Sequence, residues 1–78
     1  MKLKIRKQLD GRQQSNIIKL KGSIISRGYT QIIHIADQDE EFHINFFDIE
    51  TGTASEVQEF INAFIAREQL EDSVSIFK

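Results

Sequence analysis

The chain has 78 residues, of which 40% are hydrophobic and 28% charged, with a formal net charge of −2. This balance fits a single globular domain over residues 1–78 and excludes the charge-rich, apolar-poor composition of disordered chains. Because the chain has no cysteine, it has neither a disulfide framework nor a thiolate metal cluster.

The charges are divided unevenly along the chain. Residues 1–27 hold eight of the ten Lys/Arg and one acid, whereas residues 28–78 hold two Lys/Arg and eleven acids. Either a basic half folds against an acidic half, or the basic half forms a dedicated binding surface. The opening MKLKIRKQLDG is charged where a signal peptide needs an apolar run, and no stretch resembles a membrane span, so we expect a cytoplasmic protein with no membrane partner.

Four stretches in the first two thirds of the chain alternate apolar and polar residues, which is the period of half-buried strands. Their apolar positions are Leu3 and Ile5; Ile18, Leu20 and Ile24; Ile33 and Ile35; and Phe42, Ile44 and Phe46. The segments at 10–13, 27–28 and 38–39 have the length of hairpin loops. The pattern therefore predicts a four-stranded antiparallel meander.

After Gly52 the period becomes helical. Apolar residues recur at the spacing of one helix face, at Val57, Phe60, Ile61, Phe64 and Ile65. Thr53 and Glu56 have the spacing of a capping box, which predicts one amphipathic helix over residues 54–68 that packs on one face of the sheet. Val74 and Ile76 predict a short C-terminal edge strand, so the expected fold class is α+β.

The predicted loop lengths set the strand registers and place potential cations in one row. Lys2 would oppose Lys21, Lys21 would oppose His34, and His34 would oppose His43, on the sheet face away from the helix. The candidate binding residues are Lys2, Lys4, Lys19, Lys21, His34, His43 and Phe47. Like charges opposite one another destabilise a sheet, so such a row requires an explanation.

Three interpretations of this row stand side by side. The lysines extend into solvent and protect the strands from edge pairing; or the row binds an anion, such as phosphate, nucleic acid or the acidic side chains of a partner protein; or His34 and His43 bind zinc. Zinc takes three or four ligands and only two imidazoles are near, so we expect no metal and no cofactor. Apolar residues of the same parity, including Ile17, Ile32, Phe47 and Ile49, predict a patch for a partner or a homodimer.

An enzyme is not expected. The chain has no nucleophile motif and no glycine-rich phosphate loop, and its carboxylates fall mainly in turns and on the wet face of the helix. A non-enzymatic binding protein is the remaining class.

The order of strands, a capped helix and a final short strand, in a compact acidic chain without cysteine, resembles the small inhibitors that phages and mobile elements encode, anti-CRISPR proteins among them. The resemblance is one of pattern over the whole chain and has no family motif. It implies an inhibitor or regulator that binds a host or partner protein through a charged sheet face. Three strands followed by a helix also resemble the arm-DNA-binding domains of phage-type integrases, which implies the alternative, a domain that reads DNA with its basic sheet face.

Overall fold

A computed structural model describes residues 1–77 of the chain. Its elements are β1 (Lys2–Arg6), α1 (Gly11–Ser26), β2 (His34–Asp37), β3 (Phe42–Phe46), a 3-10 turn (Thr51–Thr53), α2 (Ala54–Arg67) and β4 (Val74–Phe77). The four strands form one antiparallel sheet in the order β2-β3-β1-β4. This β-α-β-β-α-β connectivity is the ferredoxin-like arrangement, which supports many unrelated functions.

The α+β class and the C-terminal edge strand are confirmed, whereas the meander is wrong. β1 pairs with β3 on one side and with β4 on the other, so the strand order is not the chain order. The predicted second strand is absent from the sheet, because the segment that contains Ile18, Leu20 and Ile24 is helix α1.

A capping box begins α1 where a hairpin loop was predicted. The Asp10 carboxylate accepts from the backbone N–H of Gln13 at 2.7 Å, and the Gln13 side chain accepts from the backbone N–H of Asp10 at 3.1 Å. Ile17, Leu20 and Ile24, spaced by three and four residues, are all buried against the sheet. Burial of this apolar helix face in the core stabilises α1 more than the strand-like alternation of the same segment would stabilise a strand.

The prediction for α2 is largely confirmed. The helix ends within one residue of the predicted position, and the predicted apolar stripe lies in the core, with Phe60 partly buried against it. The capping box is wrong: the Thr53 hydroxyl donates to the carbonyl of Glu50 at 2.9 Å and makes no cap to the helix.

Both helices cover the same face of the sheet. Leu3 and Ile5 from β1, with Val74 from β4, join the buried residues of α1 and α2 in one core. Because successive side chains alternate across a strand, the residues between them face the opposite side, where no helix of the described chain lies. Ile17 and Phe47 are buried in the core and Ile49 packs against it, so only Ile32 of the apolar patch predicted from Ile17, Ile32, Phe47 and Ile49 is exposed.

The turn between β2 and β3 sets the face of every β3 residue. The backbone N–H of Gln38 donates to the carbonyl of Phe42 at 3.1 Å, which leaves three residues in the loop instead of two. The Asp39 carboxylate stabilises the loop by accepting from the N–H groups of Glu41 and Phe42 at 2.8 and 2.9 Å. A shift by an odd number of residues moves all side chains of a strand to the other face.

Candidate functional site

The sheet face without helices, called the open face below, presents a row of cations along the central strand β1. Lys2, Lys4 and Arg6 alternate with the buried Leu3 and Ile5 and all point to this side. Lys2 and Arg6 are exposed and Lys4 is half-buried. One strand therefore supplies three positive charges at a spacing of two residues.

Aromatic rings flank this row on both sides. On β3, Phe46 is paired with Lys2 and Phe42 with Arg6, while on β4 Phe77 is paired with Lys2. Lys4 Nζ lies 4.4 Å from the centre of the Phe42 ring, which is the geometry of a cation–π contact. Cations and rings thus occupy neighbouring positions of the same surface.

His34 extends the aromatic surface to the edge strand β2. It is paired with Phe46, and the two rings stack with centroids 5.2 Å apart and planes inclined by 23°. Phe46 keeps 39% of its surface exposed. Lys2, Ile44, Phe46 and Phe77 line a shallow groove on this part of the face, together with residues 36–38.

No acid occupies a paired strand position on the open face of the described sheet. Its registers join Lys2 with Phe46, His34 and Phe77; Lys4 with Ile44, Ala36 and Ser75; and Arg6 with Phe42. Asp37, at the end of β2, contributes to the lining of the groove, and the exposed acids Asp39, Glu40 and Glu41 follow in the turn. The electrostatic character of the sheet surface itself is therefore positive.

The two histidines lie on opposite faces and do not oppose each other, in contrast to the prediction. His34 is paired with Phe46, whereas His43 is paired with Asp37 on the helix-covered side. The Asp37 carboxylate oxygen lies 3.3 Å from His43 Nδ1 and 3.3 Å from Lys7 Nζ. The His43 contact lacks hydrogen-bond geometry, so this nitrogen is buried without a hydrogen-bond partner.

The structure retains part of the predicted binding set. Lys2, Lys4 and His34 lie on the open face, as predicted. Lys19 and Lys21 lie on α1, on the other side of the sheet, because their segment is a helix. His43 and Phe47 lie on the covered face, because the three-residue turn inverts β3.

Lys21 differs from the exposed lysines because it is half-buried on α1. Burial removes water from its ammonium group and lowers its pKa below the ordinary value of 10.5. This position is unsuited to recognising an anion in solvent.

Sequence reasoning missed Arg6, Phe42, Phe46 and Phe77 as surface residues. The alternation of β1 already places Arg6 on the same face as Lys2 and Lys4. The face of Phe42 and Phe46 depends on the number of residues in one turn, and in the sequence both faces of β3 carry apolar residues.

Within residues 1–77, no group of three or more His, Asp or Glu side chains is placed to hold a metal ion. In the same residues, no helix has the length and apolar character needed to cross a bilayer.

Comparison of the chain with protein-family models, curated proteins and solved structures gave no match.

Proposed function

We propose that the open face binds single-stranded nucleic acid, with RNA or DNA bases stacked on its aromatic rings and phosphates contacting its cations. The observation that carries the proposal is the juxtaposition of Phe42 and Phe46 on β3 with Lys2, Lys4 and Arg6 on β1. The sequence prediction ranked nucleic acid below a protein partner because the net charge is −2 and because only one aromatic residue, Phe47, was expected on this face. The β3 register, which places Phe42 and Phe46 there, supports the opposite ranking.

The division of labour follows from the chemistry of each side chain. Phenylalanine rings stack on bases of any type, and each such contact contributes about 1–3 kcal/mol. The ammonium and guanidinium groups attract phosphates at short range and make the affinity depend on salt. One class of RNA-binding module uses a four-stranded sheet in this way, with two or three bases stacked on its surface.

Single strands fit the face better than a duplex. Three inter-strand spacings of about 4.8 Å separate the outer strands by roughly 14 Å, whereas the major groove of B-DNA is about 12 Å wide. A sheet of this width cannot enter the groove, and the rings of Phe42 and Phe46 reach only bases that are already unstacked. We therefore expect single strands to bind more tightly than duplexes of the same length.

The acidic turn at residues 37–41 lowers the affinity. Asp39, Glu40 and Glu41 are exposed and lie at one end of the sheet, where they repel a polyanion. We expect dissociation constants of roughly 10⁻⁶–10⁻⁴ M at physiological salt, as for binding without base specificity.

The test is a fluorescence anisotropy titration of labelled oligo(U) and oligo(dT), with a duplex of equal length for comparison. Phe46→Ala should weaken single-strand binding by about 5- to 150-fold, from the loss of one stacking contact. Lys4→Glu should also weaken single-strand binding, because it replaces a cation of the open face by an acid. Lys19→Glu, the same charge change on α1, should leave the affinity near that of wild type. With three neutralised phosphates, the logarithmic salt slope should be about −2.

Equal affinity for the duplex, or equal losses in Lys4→Glu and Lys19→Glu, would mean that net charge and not the open face attracts nucleic acid. Absence of binding at low salt would reject the proposal.

A protein partner is the second candidate. It is supported by the exposed isoleucines Ile18, Ile25, Ile32 and Ile35, which a purely nucleic-acid-binding surface does not require. An inhibitor or regulator of a partner protein would use this apolar surface, and its binding would survive Phe46→Ala and Lys4→Glu.

A further inference from the structure

The edge strand β2 has free backbone groups that are open to pairing. Since the N–H of Gln38 donates to the carbonyl of Phe42, the hydrogen-bonded positions of β2 are the even-numbered ones. The N–H and C=O groups of Ile35 and Asp37 consequently point away from β3. β2 contains neither lysine nor proline, the residues that commonly protect an edge.

Exposed isoleucines gather beside this edge. Within residues 1–77, five large apolar side chains are exposed: Ile18, Ile25, Ile32, Ile35 and Phe46. Ile35 belongs to β2 itself, faces the helix side and is 60% exposed, so α1 does not cover it. Ile32 is 59% exposed and lies two residues before the strand.

The outer flank of α1 lies on the same side of the molecule. The Arg12 guanidinium reaches the carbonyl of Glu68 at the end of α2 at 3.0 Å, which marks the flank that faces α2. At 100° per residue, Ile18 and Ile25 lie on the opposite flank. Since α2 contacts β4, α1 lies on the side of α2 nearer to β2, and it leaves the β2 residues exposed. On this placement Ile18, Ile25, Ile32 and Ile35 flank the same edge, and this group is called the isoleucine strip below.

We infer that the β2 edge and the isoleucine strip bind a second copy of this chain, with β2 antiparallel to β2 and Ile35 opposite Ile35 across a two-fold axis. This register makes Ile35 a hydrogen-bonded pair, which its outward backbone groups allow. It also places α1 beside α1, so that Ile18 and Ile25 of each copy become covered. A two-fold interface requires the same patch on both subunits, and the strip supplies it.

Charge repulsion disfavours one alternative register. A pairing centred on Asp37 would oppose two carboxylates, whereas the pairing centred on Ile35 opposes Ile35 with Ile35 and Asp37 with Ile33.

Two other self-associations are disfavoured. Face-to-face contact of open faces would bring the row of Lys2, Lys4 and Arg6 against its own copy. The β4 edge has no exposed large apolar side chain among its described residues.

The dimer would carry two open faces on one side of a continuous eight-stranded sheet. The two-fold axis is perpendicular to the sheet, so the helices of both copies lie together and the cation rows remain free. A long single strand could then contact both rows.

A crosslinking experiment tests the register directly. The chain has no cysteine, so Ile35→Cys introduces one thiol per subunit. Hydrogen-bonded antiparallel partners have Cα atoms about 5.5 Å apart, so a short bismaleimide can join the two thiols. The bismaleimide should convert Ile35→Cys to a covalent dimer, whereas Ser75→Cys, exposed on β4, should stay monomeric.

Sedimentation equilibrium without nucleic acid tests the interface independently. Wild type should have twice the chain mass of 9.0 kDa, and Ile35→Lys and Ile18→Glu should have the chain mass while keeping the wild-type circular dichroism spectrum. Ser75→Lys should remain dimeric. A monomeric wild type at the highest soluble concentration, a folded Ile35→Lys dimer, or equal crosslinking of the two cysteine variants would overturn the inference.

Discussion

The two faces of the sheet are built from the same strands and have opposite chemistry. In β1, Leu3 and Ile5 are buried beneath the helices, while Lys2, Lys4 and Arg6 line the open face. At the end of β3 the difference lies between two neighbours of the same residue type: Phe46 is 39% exposed on the open face, and Phe47 is 2% exposed in the core.

The comparison shows that the burial of a strand residue follows from its parity and not from its residue type. Phe46 and Phe47 have the same hydrophobicity and the same β propensity, yet one is available for stacking and the other holds the helices to the sheet. Parity in β3 is fixed by the three-residue loop after Gln38, so one turn decides which aromatic rings the protein presents.

The largest expected effect is the contrast between the two phenylalanines. Phe47→Ala should lower the free energy of unfolding by about 3–5 kcal/mol, because it leaves a cavity among core side chains. Phe46→Ala should change it by less than about 1 kcal/mol, because the ring is on the surface. Urea unfolding followed by circular dichroism measures both. Equal losses in the two variants would show that the open face is covered in solution.

The sequence predicts those elements of the two-faced sheet whose apolar and polar residues follow a single period. The alternation of residues 2–6 identifies β1 and both of its faces correctly. The helical spacing from Val57 to Ile65 identifies α2, and Val74 with Ile76 identifies the edge strand. In β1 and α2 one face is clearly apolar and the other polar, so a single period fits the residues, and before Phe77 the serines at 73 and 75 alternate with Val74 and Ile76.

The remaining elements could not be predicted because two periods fit the same residues. In α1, the spacing of the isoleucines at 17, 18, 24 and 25 fits both the strand and the helix periodicity. The signal that identifies a helix there is the capping box formed by Asp10 and Gln13. In β3, both faces are rich in apolar residues, so only the loop length distinguishes them. Of the seven predicted binding residues, three consequently lie on the open face: Lys2, Lys4 and His34.

A buried amide on the covered face provides the next test. Asn45 is 1% exposed, and its side-chain oxygen has no hydrogen-bond partner. Asn45→Leu has a similar shape and removes the desolvated acceptor, so it should raise the free energy of unfolding, by up to about 1–3 kcal/mol. Thermal unfolding with Asn62→Leu, on the exposed side of α2, as the control measures the gain. A clear loss of stability would mean that the amide has a partner, such as a buried water.

A smaller effect is expected at the start of α1, whose apolar side belongs to the core. Asp10→Ala removes the acceptor for the N–H of Gln13 and should cost about 1 kcal/mol. Asp72→Ala, at an exposed turn, is the matched control, and urea unfolding compares the two. If both variants keep wild-type stability, the segment does not depend on its cap.

The smallest effect concerns Lys21, which lies where the buried face meets solvent. Burial lowers its pKa from 10.5, so the unfolded chain holds this proton more tightly than the folded one. The contribution of Lys21 to the free energy of unfolding therefore rises with pH between its folded pKa and 10.5. At lower pH the ammonium group is charged in the folded chain, and the folded state bears its full desolvation cost. Lys21→Met, which has no titrating group, should be more stable than wild type at neutral pH, and the difference should shrink as the pH approaches 10.5. Lys19→Met, an exposed lysine on the same helix, should follow wild type at both pH values in urea titrations. If the stability difference between Lys21→Met and wild type is independent of pH, it comes from apolar packing of the methionine. The Lys21 ammonium group is then solvated in the folded protein.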